Sequence, residues 1–88
     1  RDHIIAQAHL LGEKHKAERR LNNVVNNRTQ QIINDMSASQ YQRQLAINRI
    51  RQIELDTMNA IHRAKTIKEV QDALLNGIRK IMEVGLEG

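Results

Sequence analysis

Apolar positions recur along this chain at spacings of three and four residues, the mark of helices that bury one face. The most regular stretch is "TIKEVQDALLNGIRKIMEV", residues 66 to 84. There Ile67, Val70, Leu74, Gly77, Ile81 and Val84 share a face, with Ile78 beside them. Thr66 and Glu69 form a T-x-x-E capping box, in which the hydroxyl accepts the Glu69 amide and the carboxylate reaches back to the Thr66 amide. This predicts a helix of about five turns. A second stripe runs through Ala46, Ile50, Ile53, Thr57, Ala60, Ile61 and Ala64, widened by Ile47 and Met58. It predicts a helix from about Gln40 to Ala64, roughly 37 Å long. A third runs through Ala17, Leu21, Val24, Val25, Arg28, Ile32 and Ile33. Arg28, at its edge, can bury its stem and keep its head in water.

Between the stripe ending at Ile33 and the one beginning at Ala46 lies "NDMSAS", Asn34 to Ser39, rich in residues that compete with helical backbone bonds. Ser39 with Gln42 forms an S-x-x-Q box. Ser37 with Gln40 fits the same template, but Ser39 is the preferred cap. Upstream, Ile4, Ala8 and Leu11 make a further apolar row that ends at Gly12, out of phase with the stripe through Ala17 and Ile32. Either the first helix continues with a rotated face, or it breaks between Gly12 and Lys16. The lack of other loop formers around Gly12 favours one long helix.

Three amphipathic helices joined by short polar turns predict an all-α fold, an antiparallel three-helix bundle running up-down-up. Gly77 lies on a face that should hold bulk, at an intrinsic cost of about 1 kcal/mol relative to Ala. It predicts a close approach by a neighbour, with Ile50, Ile53 or a residue of the first helix as candidates. The expected structural residues are thus the caps Ser39, Thr66 and Glu69, the core glycine Gly77, and the aliphatics Ile50, Ile53, Ile61, Val70, Leu74, Ile78 and Ile81.

Composition supports helices and removes several chemistries. The 88 residues include no Pro, Cys, Trp or Phe, and Tyr41 is the one aromatic. The core is therefore aliphatic, and thiolate chemistry and disulfides are absent. No apolar run approaches the roughly 20 residues that span a bilayer, so membrane insertion is not expected. A soluble chain is expected, with any targeting signal outside these residues. The formal charge is +4, and sixteen Asn and Gln make much of the surface amide rather than ionic.

A basic balance raises the question of anionic partners. However, Arg49 and Arg51 point about 200° apart around a helix, so no single arginine stripe forms. Stacking platforms for single strands are also missing. Nucleic acid is not an expected partner. His3, His9 and His15 are spaced by six, which sets successive rings about 240° apart, and with His62 they complete no ligand set. They are expected to face solvent. The pairs Glu54 with Asp56 and Glu69 with Asp72 lack the cleft that separates catalytic pKa values. Glu69 and Asp72 instead suit the start of a helix. No nucleophile context and no phosphate loop occur. The chain is expected to be no enzyme and to need no cofactor or metal.

The run Ala60-Ile61-x-x-Ala64-x-Thr66-x-x-x-Val70-x-x-Ala73-x-x-x-Gly77-Ile78-x-x-Ile81, preceded by the Asn34–Ser39 turn, resembles a repeat of giant staphylococcal and related Gram-positive surface proteins. The family includes extracellular-matrix-binding protein homologues, and the repeat is known only as a domain of unknown function. The resemblance covers roughly Lys16 to Val84. Such repeats usually open the middle helix with acidic residues, where this chain reads Gln40-Tyr41-Gln42-Arg43. The resemblance implies a three-helix unit strung with neighbouring repeats of the same chain into a rod on the cell wall, the last helix running into the next unit's first. It further implies residues 1–15 as an N-terminal extension or connecting helix, 16–84 as the unit and 85–88 as a junction or tail. It also implies a cell-surface adhesin with a spacer role, and some members bind host matrix proteins such as fibronectin.

Overall fold

A computed structural model describes residues 2–86, with side-chain surroundings from Ile4 onward. Arg1, the His3 side chain, and Glu87 and Gly88 of the expected junction lie outside the described residues. Three helices succeed one another: α1 (Asp2–Ile33), α2 (Gln40–Arg63) and α3 (Ile67–Glu83). Each packs against the other two, and the short turns between them force the antiparallel order of a three-helix bundle. The molecule is a rod 56 Å long and 16 by 14 Å across.

The periodic stripes meet along the rod's axis. Ala17, Leu21, Val25 and Ile32 of α1 face Ala46, Ile50 and Ile61 of α2 and Val70, Leu74 and Ile81 of α3. Leu21, Ile50, Ile61 and Ile81 are fully sealed from water. Each stripe is narrower than its sequence pattern. Ile33 is 46% exposed and Ala60 is exposed, while Ile53, Ile78 and Val24 are only half-buried. Two neighbours on a thin bundle cover a smaller arc of each helix than a globular core does. Ile67, in the first turn of α3, is also open to water.

α1 is one helix through Gly12, where an added Cβ would meet nothing within 4 Å. Leu10 packs against the core level with the α2–α3 turn, and α1 runs on past it towards its start. Ile4, Ala8 and Leu11 lie about 100° or more around the helix from Leu10, which explains the phase change upstream. Ile4, Ile5 and Leu11 remain exposed.

The α1–α2 turn is built by side chains. The Ser39 hydroxyl accepts the Gln42 amide at 3.1 Å, and the Gln42 side chain accepts the Ser39 amide at 2.9 Å. Ser37 is engaged elsewhere, donating from its hydroxyl and its amide to the Asp35 carboxylate. Those two bonds, with Arg43 nearby, hold the Asp35 carboxyl below its ordinary range. Arg43 also donates at 3.1 Å to the carbonyls of both Asp35 and Ala38, a role for a base in a first helical turn that carries no acid. Ser39→Ala should cost about 1 kcal/mol in urea unfolding, and Ser37→Ala less than half of that. Equal losses would move the cap to Ser37.

The second box is incomplete. Thr66 accepts the Glu69 amide at 3.1 Å, but the Glu69 carboxylate accepts from Lys65, at 2.8 Å, rather than from Thr66. A φ of −134° at Thr66, against −71° at Ser39, turns the cap's own amide away.

α3 stops at Glu83. Val84 is extended (φ −64°, ψ 120°), and Leu86 folds back against the core. The expected continuation of the last helix is therefore not seen within the described residues. Its physical reason is a clamp: the Arg28 guanidinium of α1 donates to the Val84 carbonyl, capping the negative end of α3. Among the described residues, no helix is long and apolar enough to cross a membrane.

Candidate functional site

Two helices approach closely at Gly77. A Cβ built there would lie 2.3 Å from Thr57 Oγ1, 2.5 Å from its Cγ2 and 2.9 Å from its Cβ. The neighbour is thus Thr57 of α2, not Ile50, Ile53 or a residue of α1. Thr57 is itself buried, at 5% exposure, and is the buried polar residue of the core. Counting back from the Ala64–Thr66 turn sets Gly77 level with about residue 53, and the folded pair is offset from that count by one turn, to Thr57. Turn length alone therefore does not choose between Ile50, Ile53 and Thr57.

The groups that carry chemistry are spread over the surface. His9 and His15 are exposed. His62 is not free: its Nε2 pairs with Glu18 at 2.7 Å, and its carbonyl accepts from Lys14 Nζ at 2.8 Å. These contacts join α1 to the end of α2. Asp72 pairs with Lys68 at 3.0 Å and Asp56 accepts from Gln52 at 3.1 Å, so both candidate carboxylate pairs are split between local partners. No group of three or more His, Cys, Asp or Glu side chains gathers among the described residues. Arg19, Arg20, Arg49, Arg51 and Arg63 are exposed on different faces, while Arg28 and Arg43 are bound to backbone carbonyls. Among the described residues, the arrangement braces helices and gathers no such group.

Apolar surface, by contrast, is concentrated. Ile4, Ile5, Leu11 and Ile67 are exposed at the end holding the α2–α3 turn, and Ile33, Met36, Tyr41 and Met82 at the other end. Among the described residues, only Leu55 and Leu75 are large exposed hydrophobics on the middle of the rod. A cavity of about 750 Å³ lies under the overhanging start of α1, between Ala6 and Leu10 on one side and Ala64 and Ile67 on the other.

The order of cap, turn, second cap and core glycine now stands on one bundle. Residues 13–86 match the family described as Domain of Unknown Function (DUF1542). The chain belongs to the DUF1542 family. The Ser39 and Thr66 caps, the Thr57–Gly77 seam and the Arg28 clamp all fall inside the DUF1542 match, whereas the overhang before Glu13 lies outside it. A similar protein is the extracellular matrix-binding protein ebh of Staphylococcus aureus (strain MRSA252). It is 33% identical over 75 residues, which cover 85% of this chain and 1% of ebh. This DUF1542 chain thus spans about one hundredth of that relative's length. No solved structure matches it.

Proposed function

We propose that this chain is a non-catalytic spacing unit of a long, cell-wall-anchored surface adhesin of a Gram-positive bacterium. The observation that carries the proposal is where the apolar surface goes. The three stripes are consumed along the axis of a 56 Å rod, and most of what remains exposed lies at the two ends. The start of α1 and the end of α3 also lie at opposite ends, so a unit joined through both adds its length to a chain of units. Residues 16–84 form the repeated unit in this reading, 1–15 the connecting helix and 85–88 the junction. Similarity to a protein of which the match is only 1% is consistent with one module among many.

Arrays of one, two and three copies are expected to show a maximum dimension in small-angle scattering that rises by nearly a full rod length per copy. An increment under half of the 56 Å rod would overturn the spacer reading.

A second reading is favoured by the relative's name, which describes a matrix-binding protein. In it, the unit's exposed helix faces engage a host matrix protein such as fibronectin, as an interface needs no pocket. Calorimetric titration of a three-copy array with fibronectin separates the two. Saturable heat supports the binding module, and its absence leaves the spacer.

A further inference from the structure

The overhang of α1 leaves a step in the rod. Residues 2–9 project past the α2–α3 turn as helix, about 12 Å at 1.5 Å per residue. Beneath them is the 750 Å³ cavity, whose apolar lining is Ala6, Leu10, Ala64 and Ile67 and whose polar lining includes His9 and Lys65. A step of this depth matches the thickness of one helix or one turn. At the opposite end, the six-residue α1–α2 turn carries Met36, the most exposed large hydrophobic of the described residues at 84%. Methionine adapts its shape to irregular apolar gaps better than a branched side chain does.

Chain direction decides which surfaces meet. A unit placed after another begins its α1 where the preceding unit's α3 ends, because those two points lie at opposite ends of the rod. The preceding unit's α3 end lies beside its own α1–α2 turn, held there by Arg28 on Val84. Head-to-tail joining therefore brings Met36 of one copy to the overhang of the next. The overhang also lies before Glu13, outside the family match, as a piece serving the junction should.

We propose that the step under the α1 overhang is a socket for the α1–α2 turn of a preceding copy of this fold, with Met36 inserted beside Ala6, Leu10 and Ile67. The socket rests on the reading of the chain as a tandem unit and adds that successive units are rigidly coupled. Coupling through such an interface gives an array stability beyond that of its separate repeats.

Two copies of residues 1–88 joined head to tail test it, by thermal unfolding beside the single chain. The tandem is expected to unfold at a midpoint higher by about 5 °C, the shift of a modest interface on a domain of this size. Ala6→Asp in the downstream copy should remove that increment, and the same substitution in the upstream copy, whose overhang has no neighbour, should not. Met36→Ser should show the reverse preference, acting only in the upstream copy. A tandem that melts with the single chain, or substitutions that act alike in either copy, would overturn the socket. The spacer reading would survive that result as a string of loosely linked rods, since its own test is the increase in length per copy.

Discussion

Gly77→Ala is expected to destabilise the bundle, although alanine is the better helix former. The gain in helix propensity is about 1 kcal/mol. Against it stands a methyl group placed 2.3 Å from Thr57 Oγ1 and 2.9 Å from Thr57 Cβ. Rotating the threonine side chain can move its γ atoms but not its Cβ, so α2 and α3 must separate. Overpacking of this kind costs about 1–3 kcal/mol and occasionally more. The expected net loss is about 1 kcal/mol, or roughly 5 °C in melting temperature. Thr57→Ala removes the two nearest atoms and should recover at least half of the loss in the double variant, an interaction that a double-mutant cycle reads directly. An alanine at position 77 that stabilised the chain by its propensity alone would show that the seam has slack.

Ile50→Ala should do at least as much damage. Ile50 has no exposure and sits among stripes from all three helices, so truncation leaves a cavity that a thin aliphatic bundle fills poorly. Such changes cost about 2–5 kcal/mol. A domain of this length holds roughly 4–13 kcal/mol in total. One methyl-rich side chain thus accounts for a large share of the fold. Ile53→Ala, one turn along the same helix but half-buried, should cost about 1 kcal/mol. Chemical denaturation of the two variants provides the comparison. Near-equal losses would show that Ile53 is as deeply packed as the sequence pattern implies.

The contrast between these isoleucines marks how far periodicity reaches. Spacing at three and four residues reports which side of a helix is apolar, and that side was legible for all three helices. It does not report the width of the buried arc. Ile33, Ala60 and Ile67 lie on the patterned faces and are still exposed, because the neighbours' positions set that arc. The caps divide in the same way. Ser39 and Gln42 close their box with both bonds. Thr66 and Glu69 share the template, yet the backbone dihedral at the cap sends the carboxylate to Lys65.

The end surfaces were the least legible part. Ile4, Ala8 and Leu11 read as an apolar row of uncertain phase, and nothing in the row says where the other two helices stop. Their exposure results from lying about 100° or more around α1 from Leu10, the residue that packs on the core. Met36 reads as one letter within a polar turn. Its place at the tip of the rod, opposite the overhang, exists only once the chain is folded.

From sequence alone came the class of the molecule: three amphipathic helices, their turns and an aliphatic core. Local propensity, capping and periodicity are short-range properties, and a few neighbouring residues encode each of them. The folded structure decided that Thr57 meets Gly77, that Arg28 ends α3, and that α1 overruns its partners to leave a step at one end. Those depend on register between helices far apart in the chain, which is settled by the sum of all their contacts rather than by any one stretch of residues.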